Sequence, residues 1–384
     1  MDTAQPKRLS ARGRRALGLM ALAVVVIVGA SLVYLYPTLS SKLRTASPTI
    51  NPPPISRQGD LVSYDFVTPS IGWALDVAVG PAGGQGQFWV FRTVDGAKHW
   101  QKQLTGQSNL VGPQSVQFFD KANGFITVVS GPTELLYRTT DGGAHWNPVA
   151  LPGPQIGVVA FSDPSNGWLL VSMGSPRGQT INLYGTGDGG STWQRLPDPP
   201  PDFAATVTFR RPMEGWIGSK GDPLPHVYTT SDGGRSWNRH NLPLPADGLP
   251  AGAIASVYLL PGTGVVAFLD TGSGPSFPLT SFDGGASWSY VAPRSSGQSF
   301  GDLIGYQDAF DWCAIDGNTL DRSSDAGQTW SQVSNHLPAG LHFCQFLDSK
   351  HAWGLVADPG RGNGLAVTQD GGLHWTRAAV PQPD

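Results

Sequence analysis

At 384 residues and a net charge of −3, with 14% charged side chains, the chain lacks the strong field that points to nucleic acid or anionic lipid. Its 50 glycines and 33 prolines stand beside 13 tryptophans, which argues against disorder and for many tight turns around a packed core. Glutamate is nearly absent, Glu134 and Glu214 being the two present, and this restricts any carboxylate-based catalysis.

Residues 1–15 form a basic segment carrying Lys7, Arg8, Arg12, Arg14 and Arg15. They precede an uncharged apolar run over 16–36, ALGLMALAVVVIVGASLVYLY. As a helix this run spans about 31 Å, enough for a bilayer core, and the basic flank places the N-terminus in the cytoplasm and all that follows outside. The sequence thus predicts a single-pass transmembrane anchor. A cleavable signal peptide is the competing reading, with Val28-Gly29-Ala30 as its cleavage site. Residues 37–59 are rich in Pro, Ser and Thr without apolar periodicity and read as a linker lifting a folded domain off the membrane.

From residue 60 to 384 one phrase recurs seven times: Ser or Thr, any residue, Asp, usually Gly, then Trp. The copies close on Trp100, Trp146, Trp193, Trp237, Trp288, Trp330 and Trp375, which are 46, 47, 44, 51, 42 and 45 residues apart. A period in the forties marks a repeat architecture. A second phrase precedes each copy, an aromatic followed six or seven residues later by Gly-Trp or its equivalent: Phe66 and Trp73, Phe118 and Phe125, Phe161 and Trp168, Phe209 and Trp216, Tyr258 and Val265, Tyr306 and Trp312, Phe346 and Trp353. Each unit reads as four short strands, A to D, separated by turn signals, as in VVAF, GWLLVS, INLYGT and TWQRLP of the third copy. Four antiparallel strands repeated seven times predict an all-β, seven-bladed β-propeller. The Asp phrase becomes the C–D hairpin, where the carboxylate bonds backbone N–H groups, the following Gly takes positive φ, and the Trp opens strand D. Ala326 replaces the first Gly in blade six and Ala97 the second in blade one, so a slightly different turn is expected in blade six. Every blade is contiguous in sequence, so blades one and seven would meet without a donated strand; the alternative is a strand from the linker near Ile50 to Ile55, against which its three prolines argue.

These phrases resemble Asp-box (bacterial neuraminidase, BNR) repeats. Together with the aromatic-x-Asp-x-x-x-Gly-Trp phrase, they make residues 60 to 384 similar to the photosystem II stability/assembly-factor-like family of exported propellers. The resemblance implies a non-catalytic propeller that binds a protein or peptide client, in the manner of assembly factors of membrane complexes, through a basic patch. No family motif maps onto particular cations of this chain.

The tempting catalytic sets dissolve into repeat columns. The box aspartates Asp95, Asp141, Asp188, Asp232, Asp283, Asp325 and Asp370 lie in separate blades and are expected to be structural, with no metal among them. His99, His145 and His374 occupy the position before the box Trp, where other blades carry Ser or Thr. Tyr137, Tyr184 and Tyr228 form a strand C column with Phe91. A sialidase would need a Tyr nucleophile with an adjacent Glu, an arginine triad and an acid/base Asp. Glu214 falls in an A–B turn, on the Asp-box side, which leaves Glu134, in a B–C turn, for any glycosidase chemistry. B–C turns and blade-to-blade links share the opposite face and include the longest irregular segments. Arg177, Lys220, Arg294 and Arg361 are the candidate ligand-binding cations there. No catalytic residue and no cofactor is expected, and the propeller is expected to be monomeric. Cys313 and Cys344 can pair in an oxidising compartment, or stand as two small buried side chains.

Overall fold

The computed structural model describes residues 60–78, 86–108, 114–130, 133–153, 157–175, 178–200, 206–219, 224–243, 253–260, 262–270, 277–291, 304–358 and 362–382. The expected membrane segment and linker lie outside the described residues. Among the described residues, 28 strands form seven four-stranded antiparallel sheets. Blade one is β1–β4 (Asp60–Phe66, Gly72–Ala78, Gly86–Thr93, Gln101–Ser108) and blade two β5–β8 (Ser115–Phe118, Gly124–Ser130, Thr133–Thr139, Asn147–Val149). Blade three is β9–β12 (Gly157–Phe161, Gly167–Ser175, Gly178–Thr186, Gln194–Arg195) and blade four β13–β16 (Val207–Arg211, Glu214–Gly218, His226–Thr230, Asn238–Asn241). Blade five is β17–β20 (Ile254–Leu259, Val265–Asp270, Phe277–Ser281, Ser289–Tyr290) and blade six β21–β24 (Ile304–Tyr306, Trp312–Asp316, Thr319–Ser323, Ser331–Ser334). Blade seven is β25–β28 (Leu341–Phe346, Ala352–Asp358, Gly362–Thr368, Thr376–Ala378). The chain is therefore an all-β, seven-bladed propeller in which, among the described residues, no blade borrows a strand. The A strands of neighbouring blades lie against one another and form the inner edge, whereas the short D strands are largely exposed.

The two phrases meet at the seams between blades. Within a blade, the strand A aromatic lies across the Gly of Gly-Trp: a Cβ on Gly124, Gly167 or Gly215 would stand 2.6, 2.5 or 2.5 Å from the ring of Phe118, Phe161 or Phe209. The neighbouring strand B aromatic then stacks on the strand A ring of the next blade. Trp73 lies on Phe118 (centroids 3.4 Å, 7° apart), Phe125 on Phe161 (3.8 Å), Trp168 on Phe209 (3.6 Å) and Trp353 on Phe66 (3.9 Å). Such pairs are worth about 1 kcal/mol each beyond the area they bury. Indole N–H groups add register: Trp73, Trp168 and Trp216 donate to the carbonyls of Gly142, Gly233 and Gly284 in the following blade. Two seams carry a cation instead. The Arg210 guanidinium lies 4.8 Å from the Trp216 centroid and donates to the Thr263 and Gly264 carbonyls of blade five, and Arg322 lies 4.9 Å from the Phe346 centroid.

The closing tryptophans sit one residue before strand D, because the turn extends to them, and Trp100, Trp146, Trp193, Trp237 and Trp375 pack edge-on against the strand A aromatic of their own blade. Blade six does not deviate as expected: Ala326 takes φ +60° and Ala97 +70°, the left-handed conformation of the glycines they replace. The surrounding bonds over-determine the turn. Ala326 N–H donates to the Phe310 carbonyl, as Gly142 N–H does to that of Ala122 in blade two.

Blades seven and one close the ring through side chains. Tyr64 Oη donates to the Trp353 carbonyl (2.6 Å), Trp100 Nε1 to the Ala379 carbonyl (2.8 Å) and Asn363 Nδ2 to the Leu61 carbonyl (3.1 Å). Asn363 N–H also reaches the Asp60 carboxylate. Cys313 on strand B of blade six and Cys344 on strand A of blade seven are both buried, with their thiol sulfurs 3.2 Å apart.

Candidate functional site

Backbone bonds fix which turns share a face. Gly96, Gly142, Gly189, Gly233, Ala326 and Gly371 donate from the C–D turn to carbonyls of the A–B turn in the same blade, at 2.7 to 3.1 Å. One face of the ring is thus a set of braced double turns. Within each C–D turn the Ser or Thr hydroxyl donates to one carboxylate oxygen at 2.8–2.9 Å. That same oxygen accepts the N–H four residues after the Asp, also in all seven blades. The second oxygen meets the side chain at that later position: His99, His145 and His374 through Nδ1, or Thr192, Ser236, Ser287 and Thr329 through the hydroxyl. Donors aimed at the ionised form hold these carboxyls below the usual range, to about 2 for Asp141, Asp188, Asp283 and Asp370. Each carboxylate is therefore engaged by its own turn. Among the described residues no three His, Cys, Asp or Glu side chains converge to hold a metal. The tyrosine column is likewise spread over separate blades, and burial raises the Tyr137 phenol. A shallow groove on this face, between blades six and seven, is lined by Asp311, Arg322, Thr329, Trp330 and Ser349. Its guanidinium is already bound to Gln307 Oε1 at 2.8 Å.

The opposite face carries the B–C turns and the links between blades. Arg177, Lys220, Arg294 and Arg361 all lie outside the described residues. The described residues flanking them are Ser175 and Gly178, Ser219 and Leu224, Val291 and Ile304, and Asp358 and Gly362, all at B–C or D–A ends of the sheets. The described rim of this face is acidic rather than basic. Asp270, Asp316 and Asp358 end the B strands of blades five to seven, and Asp60 begins blade one. Arg377 meets Asp358 at 3.0 Å.

The two glutamates fall on opposite sides, as expected from their turns. Glu214 opens strand B of blade four and pairs with Arg210 at 2.8 Å, behind the braced turns. Glu134, on strand C of blade two, is buried; one oxygen accepts the Gly157 N–H of blade three at 2.9 Å, and the other has no hydrogen-bond partner among the described residues. Burial raises its carboxyl to about 7, against the opposing pull of that single N–H.

Sequence reasoning missed a second buried acid. Asp65, one residue before the strand A aromatic of blade one, is 2% exposed. It accepts Phe118 N–H from blade two (2.7 Å) and Gln345 Nε2 from blade seven (3.0 Å), while Phe66 N–H donates to Gln345 Oε1 (3.4 Å). A continuous amide–carboxylate chain thus links three blades along the inner edge, and burial raises Asp65 to about 7. Its column holds Gln117, Ala160, Thr208, Val257, Gly305 and Gln345 in the other blades, so the available signal was its charge and not its polarity.

No family model matches the chain, and no curated protein matches it either. Solved structures share its fold. A structure of YCF48 bound to a D1 peptide is 17% identical over 88% of this chain and 100% of its own, with a TM-score of 0.52. YCF48 from Cyanidioschyzon merolae is 18% identical over 82% of this chain and 96% of its own, with a TM-score of 0.52. A prolyl endopeptidase aligns with a TM-score of 0.57 and 12% identity, over 86% of this chain but 51% of its own. Together these likenesses establish the propeller fold.

Proposed function

We propose that this chain is a non-catalytic propeller, held to a membrane by residues 16–36 with the propeller outside the cytoplasm, that binds a protein or peptide client on its B–C face. The observation carrying the reading is the asymmetry of the two faces. On one, hydrogen bonds internal to each blade occupy the turn carboxylates; to the other the sequence assigns the long irregular segments and Arg177, Lys220, Arg294 and Arg361, which lie outside the described residues. The likeness to YCF48, whose structure holds a D1 peptide, supports a peptide as the kind of client. The repeat phrases support the placement among Asp-box propellers similar to assembly factors of membrane complexes. A monomer suffices for this role, since the ring closes on itself.

Crosslinking of the full-length chain in its own membranes, followed by mass spectrometry, tests the proposal. Recurrent recovery of one protein, lost when Arg177, Arg294 and Arg361 are changed to Ala together, is the expected result; recovery of lipid or glycan alone would sink it. The alternative, a secreted sialidase-like glycoside hydrolase, draws on one observation, the buried Glu134 poised near neutrality. Turnover of sialosides or other glycosides that vanishes in Glu134→Ala would establish that alternative instead.

A further inference from the structure

The repeat gives no reason for sulfur where it stands. Residues corresponding to Cys313, just after the strand B tryptophan, are Leu169 and Ile217 in blades three and four; those corresponding to Cys344 are Val116, Val159 and Val207. The chain has two cysteines, 31 residues apart, and the fold sets both in these columns at one seam. The space they share exists because residue 305 is glycine. It pairs with Cys313 across strands A and B of blade six, and a Cβ there would stand 2.7 Å from the Cys313 sulfur and 3.4 Å from that of Cys344. The residue after Cys344 is Gln345, whose amide holds the inner edges of blades seven and one together.

We infer that Cys313 and Cys344 form a disulfide that fastens blade six to blade seven, made while the seam is open and sealed by its closure. The sulfurs need approach by only about 1 Å to reach bonding distance, within reach of small side-chain rotations. The oxidant is a small-molecule or protein disulfide. One cysteine thiolate attacks it, releasing one thiol and leaving a mixed disulfide; the second cysteine displaces the other thiol, and the two protons of the cysteines end on the two released thiols. In the closed ring the cysteines are 1% and 3% exposed, so neither a reducing thiol nor an oxidising disulfide reaches them. The redox state is thereby fixed when the ring closes. Closing a loop of this length in the unfolded chain favours the folded ring by a factor of several hundred. None of this depends on which client the propeller binds.

The full-length chain is held at its denaturation midpoint with reduced and oxidised glutathione, returned to native buffer, then denatured and treated with a maleimide-polyethylene glycol. The expected result is no adduct, two adducts after added reductant, and a higher denaturation midpoint for the oxidised chain. The difference between the two redox states disappears in the C313A/C344A double variant. Two adducts without reductant overturn the inference, and a bond that forms without raising the midpoint overturns its role as a fastening. Failure of the double variant to fold leaves both readouts on the natural chain decisive.

Discussion

Two sets of carboxyls in this propeller pull stability in opposite directions with pH. Asp65 and Glu134 are pushed up to about 7 by burial, from ordinary values of 3.8 and 4.5. Their contribution is fully present below about pH 4, where both folded and unfolded forms are protonated, and is lost as the pH rises through about 7. Asp141, Asp188 and Asp370 of the turns do the reverse: held near 2 by hydrogen bonds, they stabilise the fold above about pH 4 and lose that contribution as the pH falls toward 2. The urea midpoint is therefore expected to peak near about pH 5 and to fall toward pH 8. In Asp65→Asn the neutral amide still accepts the Phe118 N–H, but its NH2 faces the Gln345 NH2, and flipping Gln345 would break its bond to the Phe66 N–H; one hydrogen bond is lost at every pH, while the decline toward pH 8 should be shallower by on the order of 1–3 kcal/mol. An unchanged slope in that variant would show that Asp65 is not the titrating group.

At the scale of the element, the C–D turn combines a backbone requirement with a packing requirement, and two glycines separate them. Gly284 has φ +77° and nothing within 4 Å of an added Cβ, so Gly284→Ala meets the backbone cost alone, about 1 kcal/mol. Gly190 has φ +87° and would bring its Cβ to 2.6 Å from Val149 Cγ1 of the preceding blade, so Gly190→Ala should cost about 2–3 kcal/mol. Equal losses in denaturant midpoints for the two variants would mean that the seam yields at no cost. Ala97 and Ala326 show how a side chain is tolerated in this conformation: their methyl groups are buried in the core, which offsets the strain. The turns and aromatic columns were legible in sequence because each residue repeats its role every blade. The stacking of Trp73 on Phe118 was not, since it joins columns of different blades. Asp65 and Gln345 were hidden because their column mixes polar and apolar residues from blade to blade and because they meet across 280 residues of sequence.

The whole molecule is a ring of seven sheets, each complete in itself, held by rings, guanidinium groups and amides at the seams. The seam between blades seven and one stacks its aromatics as three other seams do, with Phe66 on Trp353 matching Phe118 on Trp73. The chain ends therefore need not lie there. A circular permutant with residues 382 and 60 joined by a short linker, and new ends between Arg195 and Val207, is expected to fold with a melting temperature within about 5 °C of the parent. Loss of cooperative melting would show that the 7–1 seam is made by more than the contacts seen.

Strand-complete blades also bear on how such a gene can change. Where a ring is sealed by a shared strand, unequal recombination that adds or removes a unit must preserve the two half-sheets at the ends. Here a crossover anywhere in one repeat, matched to the same point in another, leaves whole sheets only, each with its own strand A aromatic for the blade before and its own strand B seam residue for the blade after. Selection can then act on the curvature of the ring alone, so the number of blades is open to drift in a way that the order of strands within a blade is not.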